Sequence, residues 1–292
     1  MRLQDYLANN AAAPSLDGLV GRIQDISTLP NVAMKAMEIA NDPDSSAGDL
    51  VRVVETDPSL SARILRCVNS SAYALREKVT NLQRAISFLG MREIRRLAVT
   101  ASVSELFTRD EVIGPYQRRG LWKHLVAVGL CARLIAMRQK MDGFEDAFLA
   151  GLLHDIGIVF EDQYVHAQFR IVLGALDNST TLAETERKHL GFDHTKLGAQ
   201  VAESWRFPES VKAAISHHHM SVDYRGEAIM IVRCVEVANL ICTVKGYTSV
   251  GRKLVHVPQP ALNALSLTRQ HLSVLTQDLE EELTKNASLL DL

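Results

Sequence analysis

A histidine and an aspartate stand side by side in the middle of an apolar stretch, Leu152-Leu153-His154-Asp155-Ile156-Gly157. Ionisable groups buried in a core cost several kcal/mol unless they are paired or bind a metal, so the fold has to bring partners to them. The candidates are distant in sequence: His124 upstream, His194, His218 and His219 downstream, and Asn239 within the apolar run Val235-Glu236-Val237-Ala238-Asn239-Leu240. Taken singly, a histidine is more often a hydrogen-bonded or surface residue than a ligand. Together with a carboxylate, neutral imidazoles suit one or two divalent transition-metal ions such as iron, manganese, zinc or nickel. Ligands this far apart, one or two per helix, fit a site inside a helical bundle.

The punctuation of the chain is helical throughout. Asp57-Pro58 reads as an N-cap followed by proline at the first helical position, and Ser45 or Ser46, Asn81 and Asp193 read as further caps, with Gly90 as a C-terminal stop. Apolar positions then recur at helical spacing. The expected helices include Val32 to Ala40, Met91 to Phe107, about Trp122 to Met137, about Phe144 to Gln163 carrying the His-Asp doublet, Ile229 to Val244, and a C-terminal one from about Leu267 to Leu283. In the Met91 helix, Ile94, Leu97, Ala98 and Ala101 are expected inward and Arg92, Arg95 and Arg96 outward, where they could extend into a basic patch with Arg118, Arg119 and Lys123. Strand-like alternation is hard to find. Aromatic content of 5% within 47% hydrophobic residues also favours packed helices, so the class is all-α.

Net charge is −2, which gives no global attraction to nucleic acid or anionic lipid. Cys67, Cys131, Cys234 and Cys242 form no Cys-x-x-Cys pair and read as small core residues in a reducing compartment. The first residues lack a signal-peptide pattern, and no apolar run approaches the ~18–20 residues of a membrane span. The expectation is a cytoplasmic protein.

At this point the chain resembles a family. A histidine, then His-Asp, then a histidine, then His-His, then a late acidic position is the pattern of HD-type metal phosphohydrolases. The first half is similar specifically to the HDOD (HD-related output domain) proteins, relatives of the HD-GYP phosphodiesterases. The residues that carry this are Leu29-Pro30, Asp57-Pro58-Ser59-Leu60, Ile64-Leu65, Val68-Asn69-Ser70-Ser71-Ala72-Tyr73 and Ala85-Ile86-Ser87-Phe88-Leu89-Gly90. The resemblance covers about residues 22 to 245. It implies two packed helical subdomains, the second an HD-like bundle, with a lead-in over 1–21, the first subdomain over 22–110, the second over 111–245 and a helical extension over 246–292. It also implies that His124, His154, Asp155, His194, His218, His219 and Asn239 are the metal-site positions, with Asp155 able to bridge two ions.

Three departures bear on function. HD-GYP phosphodiesterases carry a lysine three residues after the aspartate, where this chain has Ile158, which cannot contact a phosphate oxygen through a charge or a hydrogen bond. The late acidic position is Asn239, and no Gly-Tyr-Pro segment follows His218-His219. The resemblance therefore implies a bacterial signal-transduction output module that binds a regulatory protein or a small nucleotide signal without turnover. The rival is a metal-dependent phosphohydrolase in which Asp155 is catalytic. A third reading keeps the metal as a structural pin or redox sensor. The leucine stripe Leu267, Leu272, Leu275, Leu279 and Leu283 is expected to pack back on the domain, the sharper alternative being a homodimer contact.

Overall fold

The computed structural model describes residues 15–26, 35–36, 38–39, 44–70, 73, 75–177, 179–250 and 257–290. The expected Val32–Ala40 helix lies largely outside the described residues, as do Leu29-Pro30 and Ser71-Ala72. Among the described residues, the first half holds α1 (Leu16–Ile26), α2 (Ala47–Glu55), α3 (Pro58–Val68), α4 (Leu82–Leu89) and α5 (Met91–Val103), the last running on as a 3-10 turn over Ser104–Phe107. Caps set these boundaries. Asp57 accepts from the Leu60 N–H, Asn81 accepts from that of Arg84, and Ser46 and Asp49 form a reciprocal capping box. Gly90, at φ 81°, turns α4 into α5. Asn69 holds the following loop: its Nδ2 donates to the carbonyls of Leu65 (2.7 Å) and Val79 (2.8 Å), and its Oδ1 accepts from the Val79 N–H.

A two-residue antiparallel hairpin, β1 (Val112–Ile113) and β2 (Tyr116–Gln117), leads into the second half. There follow α6 (Arg118–Arg138), α7 (Phe144–Leu153), α8 (Ile156–Tyr164), α9 (His166–Ala175), α10 (Leu182–Leu190), α11 (His194–Ser204), α12 (Glu209–His217) and α13 (Ile229–Lys245). The chain closes with α14 (Gln259–Ala264), α15 (Arg269–Lys285) and α16 (Ala287–Leu290). The all-α expectation holds.

The centre of the molecule is the crossing of α6 and α7, with α13 against both. Backbones meet there because two glycines face each other: a Cβ on Gly151 would stand 2.8 Å from the Gly129 Cα, and one on Gly129 2.9 Å from the Phe148 carbonyl oxygen. This close approach brings His124 of α6 up to the end of α7. Helix α12 packs on α7, α11 packs between α8 and α12, and α5 docks on α7 from the first half. Helix α6 is long and apolar enough to cross a membrane by length and composition, against the expectation that no apolar run comes near a span. Most of it is buried inside the fold.

Several expectations are corrected. Arg95 and Arg96 do not face outward; each is about 4% exposed. Arg95 pairs with Asp146 of α7 (3.1 Å), and Arg96 pairs with Glu93 and lies 4.9 Å from the Phe148 ring centroid, so the two guanidinium groups seal α5 onto the second half. Arg118 is buried as well, which removes three members from the expected basic patch. The Phe144–Gln163 helix is two helices, broken at the His-Asp doublet. Leu275, Leu279 and Leu283 are buried, α15 packs on α6, and the Trp122 indole donates to the Leu289 carbonyl (3.0 Å), so most of the leucine stripe is used internally.

Arg118 gives a test of the packing at the start of the second half. Its Nε donates to Asp162 Oδ2 at 2.6 Å, Tyr116 donates to the same oxygen at 2.7 Å, and Asp162 is fully buried. Arg118→Ala leaves that carboxylate short of its cation and is expected to cost about 3–5 kcal/mol in urea unfolding. A loss below 1 kcal/mol would mean the pair contributes little.

Candidate metal centre

The break between α7 and α8 is what frees the doublet. His154 keeps helical backbone angles, but Asp155 at φ −103°, ψ 19° leaves them, and a new helix starts at Ile156. Asp155 stands at the N-cap of α8 yet makes no capping bond; its carboxylate turns toward imidazoles instead. Oδ2 lies 3.5 Å from His124 Nε2 and 3.4 Å from His154 Nε2. Oδ1 lies 3.4 Å from His194 Nε2 and 3.2 Å from His218 Nε2. His219 Nε2 completes the second group, 2.9 Å from His194 Nε2 and 3.1 Å from His218 Nε2. One carboxylate thus faces two separate ligand groups, His124/His154 on one side and His194/His218/His219 on the other.

The opposite ring nitrogens fix the tautomers. His124 Nδ1 donates to the Tyr247 carbonyl (2.9 Å), His154 Nδ1 to that of Gly151 (2.7 Å), and His218 Nδ1 to those of Ala214 and Ile215 (3.1 Å each). A carbonyl only accepts, so in a neutral ring each of these Nδ1 atoms carries the proton and each Nε2 presents a lone pair to the centre. His194 Nδ1 donates to Glu186 Oε2 (2.6 Å), which also accepts the His194 main-chain N–H (2.9 Å). The position of His194 follows from Asp193, whose Oδ1 caps α11 through the Lys196 N–H (3.0 Å) while its Oδ2 takes Arg187.

Electrostatics match the geometry. Burial alone would raise Asp155, but the facing imidazoles, His154 first and then His124 and His218, hold its carboxyl well below the usual range. Burial pulls His194 down, yet Glu186, and behind it Asp155, lift the imidazole to about 9. Burial, with the neighbouring His154 and His194, keeps His218 below its ordinary value. Behind Glu186 sits Glu161, fully buried; burial and then the Glu186 carboxylate push it well above the usual range.

The residues fit a divalent cation. Lone pairs of ring nitrogens 2.9–3.3 Å apart repel one another unless a proton or a cation lies between them, and Asp155 Oδ1 is buried with no hydrogen-bond donor among the described residues. Nitrogen donors with one carboxylate suit iron, manganese, zinc or nickel. The structure therefore brings together six of the seven expected positions. Asn239 lines the same cleft from α13, its Oδ1 accepting from the Thr243 hydroxyl (3.3 Å). His217 stands apart, with its ring 5.2 Å from Tyr224.

Above Asp155 opens a cleft of about 610 Å³ whose walls include Ile158, Arg187, Glu236 and Asn239. The sequence reading missed Glu186, Glu161, Arg187 and the Tyr247 carbonyl. Glu186 and Arg187 lie in a charged helical segment that reads as a solvated face, and no side-chain signal marks a carbonyl.

Comparison with known proteins agrees with this architecture. The HDOD domain matches residues 26–221, more than half of the chain. An uncharacterized protein of Treponema pallidum (strain Nichols) is 25% identical over 231 residues, which cover 76% of this chain but 43% of that relative's length. An HDOD domain protein of unknown function from Geobacter sulfurreducens is similar in structure, with TM-score 0.78 at 23% identity, covering 94% of this chain and 96% of that one. A candidate signal transduction protein from Marinobacter aquaeolei VT8 gives TM-score 0.77 at 24% identity, covering 99% of this chain and 64% of that one. At these identities the two solved structures show the shared fold. With the HDOD match spanning most of the described molecule and the His-Asp cluster assembled at its centre, the chain belongs to the HDOD domain family.

Proposed function

We propose that this HDOD chain is a cytoplasmic signal-transduction output module that holds one or two divalent transition-metal ions without turning over a phosphoester. His124, His154, Asp155, His194, His218 and His219 would be the ligands, with Asn239 beside them. A bound ion would supply Lewis acidity and pin α6, α7, α11 and α12 to one point. Glu186 keeps His194 in place and its Nδ1 engaged. The output would be a regulatory protein or a small nucleotide signal that shifts the packing of the first helical subdomain on the second.

The observation that carries this reading is the composition of the cleft. Among the described residues that line it, Arg187 is the only lysine or arginine, and it is paired with Asp193. Ile158, fully buried, supplies apolar wall where the phosphodiesterase relatives place a cation. Phosphoryl chemistry depends on fixed positive groups aimed at the developing charge, and this cleft offers few of them beyond any metal.

The second reading, a metal-dependent phosphohydrolase, is favoured by one specific feature: each oxygen of Asp155 faces its own imidazole group, as a carboxylate shared between two ions would. Two measurements on protein purified without chelator separate the readings. Elemental analysis is expected to return at least half an equivalent of transition metal; under one-tenth would end both readings. Assays on cyclic dinucleotides and bis(p-nitrophenyl) phosphate with added manganese or iron are expected to stay at the blank rate. Turnover that disappears in the His154→Ala, Asp155→Ala double variant would replace the first reading by the second.

A further inference from the structure

A second cleft, of about 470 Å³, opens where α4 and α5 of the first half meet α6, α7 and the C-terminal α15, and it shares no lining residue with the His-Asp cleft. Four cations line it, Arg92, Arg96, Arg133 and Lys285, against three carboxylates. Each carboxylate holds a cation, although Glu145 Oε2 is buried without a hydrogen bond among the described residues. Glu93 takes Arg96 and the Tyr73 hydroxyl, Glu145 takes Arg133 at 2.7 Å, and Glu282 takes Lys285 at 3.3 Å. Two cationic donors remain. Arg92 is exposed and pairs with no carboxylate among the described residues. Arg96, with its side chain 5% exposed, has a buried Nη1 with no acceptor among the described residues. Guanidinium N–H groups left without acceptors in a lined cleft call for an anionic oxygen, and arginine takes phosphate in two-pronged fashion.

An aromatic surface lies beside them. Phe88, 56% exposed at the end of α4, is one turn of chain before Arg92 across the Gly90 turn, and Phe144 lines the cleft beneath the Arg133 guanidinium (5.4 Å). A large exposed ring in the same cleft as an exposed arginine and an unsatisfied guanidinium N–H is the combination that takes a nucleobase by stacking and its phosphate by charge. We propose that this cleft binds a nucleotide, with Arg92 and Arg96 on the phosphate and Phe88 against the base. An acidic peptide would use the arginines but would gain little from the ring.

The test is calorimetric titration of the full chain with GMP, AMP and inorganic phosphate, repeated on Phe88→Ala and Arg92→Ala. Both residues are exposed, so both variants are expected to keep the wild-type melting temperature. The expected result is submillimolar binding of at least one nucleotide, weakened about tenfold or more by either substitution, with phosphate much weaker and indifferent to Phe88. Absence of nucleotide binding up to 5 mM, phosphate binding as tight as that of the nucleotides, or nucleotide binding unchanged in both variants would each overturn the proposal. The last outcome would place the ligand elsewhere, including the His-Asp cleft.

Discussion

Replacing Gly157 by alanine is expected to destabilise the fold by about 3 kcal/mol or more, at or beyond the upper end of overpacking effects. A Cβ there would stand 2.0 Å from the His194 carbonyl oxygen and 2.7 Å from its carbonyl carbon. These are backbone atoms, so no rotamer change relieves the clash; the first turn of α8 has to part from the first turn of α11. His194 cannot yield easily, because Glu186 holds both its main-chain N–H and its Nδ1. The same substitution should therefore also separate His194 from Asp155 and disturb the candidate metal centre. Gly174→Ala is the control: it is exposed in α9, nothing lies within 4 Å of an added Cβ, and helix propensity predicts a gain of up to about 1 kcal/mol. Urea unfolding of the two variants checks the pair. A Gly157→Ala protein within 1 kcal/mol of wild type would mean that α8 and α11 do not meet as described.

What sequence reading recovered follows from the range of the interaction involved. Caps are local, and Asp57-Pro58, Asn81 with Gly90, and Asp193 all bound helices where their residue types place them. The break at His154-Asp155 is different. Its flanks, Leu152-Leu153 and Ile156, are apolar and continue a helical pattern, while the imidazoles that Asp155 faces and the His194 backbone that Gly157 meets come from distant helices. Arg95 and Arg96 went wrong for the same reason. An arginine on a helix is ordinarily solvated; Asp146, which pairs with Arg95, and the Phe148 ring, which covers Arg96, sit some fifty positions further along, although Glu93 beside Arg96 is local.

The candidate site was legible because it offends local rules: charged neighbours in a core and histidines at helix ends ask for partners. Its supporting residues obey those rules. Glu186 lies in Glu184-Thr185-Glu186-Arg187-Lys188, a run indistinguishable by type from a water-facing helix, yet it is fully buried. Gly129 and Gly151 are single glycines within helices, and only the crossing of α6 and α7 reveals why neither can carry a side chain.

Asp155→Asn is expected to have the largest effect on the proposed metal site. The substitution keeps volume and removes the one carboxylate that both imidazole groups face, leaving an amide with a single acceptor oxygen. In the wild-type protein, an ion at a hundredfold excess over its dissociation constant stabilises the folded state by about 2.7 kcal/mol. For a chain of this size that corresponds to a rise of roughly 5–10 °C in melting temperature. Asp155→Asn should abolish this rise with manganese or zinc and bring metal content below one-tenth of an equivalent. His154→Ala gives the contrast, because it touches only the His124/His154 side and leaves Asp155 with His194, His218 and His219. It should therefore keep the ion held by that second group and part of the thermal shift. Wild-type metal content and thermal shift in Asp155→Asn would show that the carboxylate is no ligand. Complete loss in His154→Ala, with the fold intact by circular dichroism, would mean that the two groups hold a single shared ion.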